Sequence, residues 1–365
     1  MVFLYDVLTV GAGFVGSFLS YCLAKRGINV LVFEEHKEIG YPEHCAGLVS
    51  TSGLQRLGLL NAVKKEGLIL NTINKVRIYT GWRQKIFKIT GTDIAVLDRP
   101  GLDRLIASKA QDRGAEILLD TYVKKIMKHG VKTTRGNFNG RIIVDAEGSR
   151  RSLLKKFLQA EIIRSMPAIQ IDAKINKNID TDTVEMYFNI PDFFSWIIPI
   201  NTNTVRIGTA SRKTTNLYGI IRSLGRKRFG KIKELKKFGG LVNIDGPYKK
   251  FTFGNIVAIG DAVGQTKPTT GGGVILGGLS AALLAATIEK NLEQGYPLQN
   301  YDTTWRKIFG TNIAFMKLIR KIVFSLDARA ISNIIIGLTP NKISFTSDFD
   351  LRIDLLTKKF RKNKL

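Results

Sequence analysis

The sequence predicts an α/β protein. A Rossmann-like dinucleotide-binding domain is interrupted by an antiparallel-sheet segment, completed late in the chain, and followed by a helical carboxy-terminal region. Three observations predict this. Gly11-x-Gly13-x-x-Gly16 stands between an apolar strand and a helix. Residues 167–212 turn to repeated short strands separated by Asn and Asp clusters, the texture of an antiparallel sheet. Near residue 255 a buried strand again leads into a glycine turn, Gly260-Asp261, and then a long apolar helix.

The elements follow in order. Asp6–Val10 is a short apolar strand, and Ser17–Arg26 carries Phe18, Leu19, Cys22 and Leu23 at helical spacing. Gly27 ends that helix as a left-handed cap, and Ile28–Phe33 is a second buried strand closed by Glu34 and Glu35. Residues 41–70 read as loop and short helix, and 73–90 as two antiparallel strands around Gly81. Gly101–Arg113 is an amphipathic helix with Leu102, Leu105, Ile106 and Ala110 on one face. Strands are expected at 115–119, 141–146, 168–175, 184–188, 196–200 and 205–209. Gly272–Asn291 is a long apolar helix, 301–338 is helical and basic, and 358–365 is a frayed tail.

The composition, 44% hydrophobic and 24% charged, is that of a folded globular chain and excludes disorder as the main feature. Two cysteines, Cys22 and Cys45, exclude a disulfide scaffold and a four-cysteine zinc site, and with three histidines no metal is expected. No targeting segment is visible at Met1–Asp6, and the apolar run Val274–Ile288 is shorter than the roughly 20 residues of a spanning helix. The expectation is a cytoplasmic protein with free thiols. The net charge is +26 but uneven. Residues 1–70 carry 6 basic and 6 acidic groups, residues 212–250 carry 12 and 2, and residues 301–365 carry 13 and 5. Nucleic acid, an anionic membrane surface or a phosphorylated substrate would each use such basic segments. No nucleic-acid reader motif is present.

Chemistry concentrates at the glycine turns. Gly11 permits the tight turn, Gly13 lets backbone amides approach a pyrophosphate, and Gly16 allows the helix to lie close on the strand. Glu34, 18 residues past Gly16, is placed to accept both hydroxyls of a ribose. This fingerprint does not choose between NAD and FAD. The late turn leans toward a flavin, because Asp261 can meet a ribityl chain and the amides of Gly271, Gly272 and Gly273 can approach the flavin ring.

The Gly11–Gly16 turn with Glu34, the Leu97-Asp98-Arg99 and Leu102-Asp103-Arg104 pair, and Gly260-Asp261-Ala262 together resemble the FAD-dependent fold of aromatic hydroxylases. Pro42-x-x-Cys45-x-Gly47, Pro191-x-x-Phe194-x-Trp196-x-Ile198-Pro199 and Tyr301-x-x-x-Trp305-Arg306 narrow this to the geranylgeranyl reductase family, archaeal digeranylgeranylglycerophospholipid reductases above all, over most of residues 5–325. The resemblance implies an FAD enzyme that saturates isoprenoid double bonds in membrane lipids or their precursors. It implies flavin contacts at Gly11, Gly13, Val15, Gly16, Glu34, Cys45, Ala46, Gly47, Arg99, Val123, Gly260, Asp261, Gly272, Gly273 and Val274, and a substrate channel at Phe194, Trp196 and Pro199. Cys45 is the candidate catalytic residue. The external electron donor, NAD(P)H or ferredoxin, stays open. The chain departs from the family pattern at Phe194 (a tyrosine there), at Ile198 (a phenylalanine there), and at Glu147-Gly148, where hydroxylases carry Asp-Gly.

The domains expected are an FAD-binding domain at 1–70 plus 95–160 plus 250–298, a substrate domain at 71–94 plus 161–249, and a helical region at 299–365. The partner expected is a prenylated phospholipid, with the basic segments at an anionic membrane surface and the protein peripheral on its inner face. A flavin-dependent monooxygenase or hydroxylase on the same fold, and a non-redox flavin-binding cyclase or basic binding protein, are the competing readings.

Overall fold

A computed structural model of the chain describes residues 4–81, 83–90, 92–154, 165–326, 328–333 and 345–346. The elements begin with β1 (Tyr5–Val10), α1 (Phe14–Ala24), β2 (Val30–Phe33), β3 (Leu48–Ser50), α2 (Thr51–Arg56), α3 (Leu60–Lys65) and β4 (Ile69–Ile73). There follow β5 (Lys75–Thr80), β6 (Arg83–Thr90), β7 (Ile94–Leu97), α4 (Arg99–Gln111), β8 (Glu116–Leu118), β9 (Val123–Met127), β10 (Gly130–Thr133) and β11 (Gly136–Asp145). Then come β12 (Met166–Ile175), β13 (Thr183–Tyr187), β14 (Ser195–Pro199), β15 (Thr204–Ala210), α5 (Leu217–Phe229) and β16 (Ile232–Val242). Last are β17 (Thr252–Phe253), β18 (Ile256–Ala258), α6 (Val274–Gln294), α7 (Asn300–Ser325), α8 (Ala328–Ser332) and β19 (Phe345–Thr346). They form two units, Met1–Tyr41 with Pro100–Ser165 and Asn243–Ala314, and Pro42–Arg99 with Met166–Val242 and Phe315–Leu365. Residues 42–70 and 95–99, expected with the dinucleotide-binding domain, lie in the second unit, and 299–314 lie in the first.

The first unit is built on a sheet of order β17-β18-β11-β1-β2-β8. β1 runs parallel to both β2 and β11, β2 to β8, and β11 to β18, while β9 and β10 form an antiparallel arm on β11. β2 is buried throughout and β1 nearly so, which is why both read as unbroken apolar runs rather than alternating ones. Leu8, Val10, Leu31, Phe33 and Ile143 share one core with Val123, Ile126 and Val131 of the arm. α6 packs on α1. Its 21 residues include an 18-residue window of mean hydropathy 1.2, enough by length and composition for a membrane span, yet 56% of that window is buried, the pattern of a core helix.

The second unit holds a mixed sheet of order β16-β12-β15-β14-β13-β5-β6-β19 and a small sheet β3-β7-β4. The expected hairpin β5–β6 and the strands of 167–212 are present, but β5 and β13 pair in parallel, which residue patterns within each strand do not reveal. α5 covers one face through Ile221, Leu224 and Phe229 against Ile171, Ile197, Val205 and Ile207. Asn216 starts α5 by accepting the Gly219 N–H at 2.9 Å. α5 and β16 occupy the segment read only as basic, and β3 and β4 occur where loop and helix were expected, because three to five residues of mixed burial carry little periodicity. Of the expected helix over 301–338, residues 327 and 334–338 lie outside the described residues, as does the tail 358–365.

Candidate functional site

In the first unit, β1 ends at Val10 and the chain turns at Gly11, whose φ is +98° and where a Cβ would stand 2.6 Å from the Ala146 carbonyl oxygen. Only glycine fits there. Its N–H donates to the Phe33 carbonyl at 2.8 Å, fixing the turn to the end of β2. A Cβ on Gly16 would overlap the Gly11 carbonyl, so α1 reaches the strand only because position 16 has no side chain. Gly13 differs. It is the N-cap of α1, no side chain caps that helix, and a Cβ there meets nothing within 4 Å. Uncapped N–H groups therefore open beside free space at the positive end of a helix dipole. Ala12 N–H donates to Glu34 Oε2 at 2.8 Å, while Oε1 takes the His36 N–H at 3.0 Å and faces His36 Nδ1 at 2.6 Å. With His36 on Oε1, the free lone pair of Glu34 for a ribose hydroxyl is on Oε2.

The late turn meets the opening turn inside this unit. Val15 lies against Gly260 and Gly277, 3.2 Å and 2.6 Å from where their Cβ atoms would be. Asp261 Oδ2 accepts from Ser149 Oγ at 2.9 Å, and Oδ1 stands 2.9 Å from the Cβ position of Gly273, the N-cap of α6. Arg151, in the left-handed region at φ +53°, is buried beneath this loop and donates to the carbonyls of Asp261 and Ala262 at 3.0 to 3.2 Å. Burial lowers its pKa, against the field of Tyr248 and Asp261, which raises it. Asn243 Nδ2 adds a bond to the Asp261 carbonyl at 3.1 Å. Gly260 N–H donates to Gln265 Oε1, Gln265 Nε2 donates to the buried Tyr301 hydroxyl, and Trp305 Nε1 donates to Ser280 Oγ. The Tyr301-x-x-x-Trp305 motif is thus a prop for this turn. Gly272 sits against the Lys267 side chain, Val274 opens α6, and Val123 points into the core.

An uncapped helix start, an acid at the end of β2, and a second acid braced beside glycines are the parts that a pyrophosphate, an adenosine ribose and a ribityl chain require. The residues present fit FAD.

The second unit contains Cys45, Ala46, Gly47, Arg99, Phe194, Trp196 and Pro199. On the sheet face opposite α5, Arg206 of β15 is buried and makes a two-pronged bond to Asp172, Nε to Oδ1 at 2.8 Å and Nη2 to Oδ2 at 2.9 Å. It also pairs with Glu43 at 3.2 Å, and its Nη1 donates to the carbonyls of Cys45 at 3.4 Å and Ala46 at 3.1 Å. Burial works against its charge, but the Asp172 bonds and the field of Glu43 prevail and raise its pKa. Lys236 holds the other oxygen of Glu43. The Cys45 loop is therefore moored by a buried cation. Gly47, at φ +85°, leaves room for the Leu97 carbonyl.

Trp196 shares this face. Its ring lies over Gly208, where any Cβ would collide with the indole. Its Nε1 donates to Gln170 Oε1 at 3.1 Å, and Gln170 Nε2 donates to the His44 carbonyl at 3.4 Å, so Trp196 and the Cys45 loop are joined by two hydrogen bonds. Phe193 and Phe194 stack at 4.2 Å, Phe194 meets Trp196 edge-on at 6.0 Å, and Phe188 and Phe324 complete an aromatic cluster. Pro199 closes β14, its carbonyl accepting from Asn71 at 2.8 Å. Arg99 is buried at the first residue of α4. Cys45 is a half-buried free thiol, whereas burial in the first unit pushes the Cys22 thiol up to about 11, partly offset by Arg26 and Lys25. No group of three or more metal-ligating side chains occurs among the described residues.

Sequence reasoning missed Arg206, Asp172, Glu43, Arg151, Asn243 and Gln170. Their partners lie far apart in the chain, 34 residues for Asp172 and Arg206 and 110 for Arg151 and Asp261, and no local pattern marks them. It also missed His36, whose pairing with Glu34 two residues before it follows no local pattern.

Residues 4–157 match the family described as "FAD binding domain". The chain is 29% identical over 357 residues to an uncharacterized protein of Methanocaldococcus jannaschii, covering 91% of this chain and 87% of that one. It is 26% identical to digeranylgeranylglycerophospholipid reductase 2 of Methanothermobacter thermautotrophicus, over 95% of each chain. Its fold matches that of a geranylgeranyl bacteriochlorophyll reductase-like protein of Thermoplasma acidophilum with a TM-score of 0.87 at 20% identity, over 98% of this chain and 97% of the other. Residues 4–157 thus match an FAD-binding domain, and along nearly its whole length the chain is similar to an archaeal digeranylgeranylglycerophospholipid reductase.

Proposed function

We propose that this chain is an FAD-dependent reductase that saturates isoprenoid double bonds of geranylgeranyl membrane lipids or their precursors. The observation that carries the reading is the similarity over 95% of the chain to a digeranylgeranylglycerophospholipid reductase, on a first unit whose turns fit FAD. Bound and reduced, FAD supplies the hydride for an unactivated alkene. The chain supplies the rest. On the turn that Gly11 makes, the amides of Gly13 and Gly16 and the carboxylates of Glu34 and Asp261 bind and orient the cofactor. Arg99, Val15, Val123, Ala46, Gly47, Gly272, Gly273 and Val274 are further contacts in this proposal. Phe194 and Trp196 give a prenyl chain an apolar wall and exclude water, and Pro199 fixes the strand end that carries them. Phe194 in place of a tyrosine keeps that wall aromatic without a hydroxyl. Cys45 holds the proton that goes to the second alkene carbon.

The substrate is a prenylated phospholipid, and the basic segments 212–250 and 301–365 hold the enzyme at the anionic face of the bilayer, each unpaired basic group contributing about 1 kcal/mol. Part of that charge is committed internally: Arg222 pairs with Glu234, Arg228 with Glu185 and Lys236 with Glu43.

Mass spectrometry of a geranylgeranyl lipid incubated with the chemically reduced holoenzyme tests the reading. The expected result is a gain of one hydrogen pair per double bond reduced. An unchanged lipid, with reduced holoenzyme consuming oxygen on an aromatic substrate instead, overturns it. Cys45→Ala is expected to lose alkene turnover while retaining FAD, and unchanged turnover removes Cys45 from the mechanism.

A further inference from the structure

α7 buries one face completely. Tyr301, Trp305, Phe309, Ile313 and Met316 are each 5% exposed or less. The solvent side of such a helix is ordinarily polar. Here, in the second unit, it carries Phe315, Leu318 and Ile322, exposed by 50%, 53% and 47%. Positions 315, 318 and 322 fall on one narrow stripe of a helix, on the side away from Trp305 and Phe309. Single exposed apolar residues need no explanation, but a row of three along one helix does. Lys317 and Lys321 are exposed beside it, and residues 311–325 contain no carboxylate. Arg320 is turned the other way. It lies over the Phe193 and Phe324 rings and donates to the Asp192 carbonyl at 2.5 Å, so its charge serves the fold rather than the surface.

We infer that the Phe315–Leu318–Ile322 stripe of α7, flanked by Lys317 and Lys321, is a docking surface for an anionic bilayer. Apolar side chains bordered by flexible lysines, without acids, are the composition of a helix that lies in the membrane interface: the side chains enter the acyl boundary and the ammonium groups meet lipid phosphates. The choice of occupant rests on the lipid-reductase reading and on charge complementarity, the chain being +26 overall. An acidic protein partner or a second copy of the chain would use the apolar row without requiring lipid.

The test is co-sedimentation of the full-length holoenzyme with vesicles of phosphatidylcholine alone or with phosphatidylglycerol, at low and high salt. The expected result is binding to the anionic vesicles at low salt, weakened by salt and absent with neutral vesicles. Phe315→Gln with Ile322→Gln is expected to reduce this binding at least about tenfold, and Lys317→Gln with Lys321→Gln by about fivefold per lysine. Both variants are expected to keep wild-type turnover of detergent-dispersed prenyl lipid, which separates the surface from the chemistry and shows that they fold. No binding of the wild type to anionic vesicles at low salt overturns the inference. So does unchanged binding by the variants, or a change of the wild-type oligomeric mass in the variants with vesicle binding intact, which marks the stripe as an interface between copies. Wild-type vesicle binding without turnover of the dispersed lipid leaves the surface standing and overturns the reductase reading instead.

Discussion

The two units hold their functional loops by opposite means. In the first, the glycine turns are made of backbone: Gly11 adopts a left-handed φ, Gly16 lets α1 close on the strand, and Gly13 leaves the helix start bare. In the second, the Cys45 loop is moored by charge, through the buried Arg206 and Glu43 and the partly exposed Asp172. At Gly11 and Gly16 the first device leaves no room for a side chain, and the second depends on charges that pair.

If that contrast is right, the largest effect comes from breaking the mooring. Arg206→Ala leaves the mostly buried Asp172 without its cation and Glu43 with Lys236 alone, and is expected to cost about 3–5 kcal/mol of stability, read by urea unfolding. Arg206→Met with Asp172→Leu is expected to recover part of that loss, since no charge then remains buried at that pair; an equal loss in the double variant would mean the charges are incidental. Next in size, Gly16→Ala adds one methyl group against the Gly11 carbonyl. Overpacking of this kind costs about 1–3 kcal/mol, and the purified variant is expected to retain less FAD, measured by its flavin absorbance per protein. Full retention of flavin would show that α1 does not need its close approach.

These two positions also show what the sequence can and cannot reveal. The tight turn at Gly11 and the close approach at Gly16 were legible because each requirement is met within a few residues and by glycine alone. Arg206 was not, because an arginine in a strand reads the same whether it faces water or a buried aspartate. The strands of 167–212 were visible through their spacing, but the parallel pairing of β5 with β13 joins segments about a hundred residues apart and leaves no trace in either. Aromatic residues at 193, 194 and 196 fit both a strand core and a prenyl slot, and the sequence alone does not separate the two.

Smaller effects sharpen the comparison further. Cys45 is half-buried on a moored loop and Cys22 is buried on α1 with its thiol pushed up to about 11. A maleimide at pH 8 is therefore expected to modify one thiol per native chain, at Cys45, and two after unfolding, as counted by intact mass. Modification of Cys22 in the native protein would contradict the packing described. Asp145 ends β11 fully buried, and burial first, then Glu147, raises its pKa well above the ordinary carboxylate range. The folded state then keeps a proton that the unfolded chain releases near pH 4. The stability of the wild type relative to Asp145→Asn is expected to fall as pH rises above about 4, by at most about 1.4 kcal/mol per pH unit, and to level off above the folded pKa. A difference that does not change with pH would show that Asp145 is ionised in the fold.

The account's central claim, that an FAD held by the glycine turns reduces a prenyl alkene, is tested most directly by anaerobic mixing of dithionite-reduced holoenzyme, freed of excess reductant, with a geranylgeranyl phospholipid. The account predicts that the yellow absorbance of oxidised flavin returns without oxygen, one flavin for each double bond lost. Flavin that stays reduced until air is admitted, with the lipid intact, would contradict it.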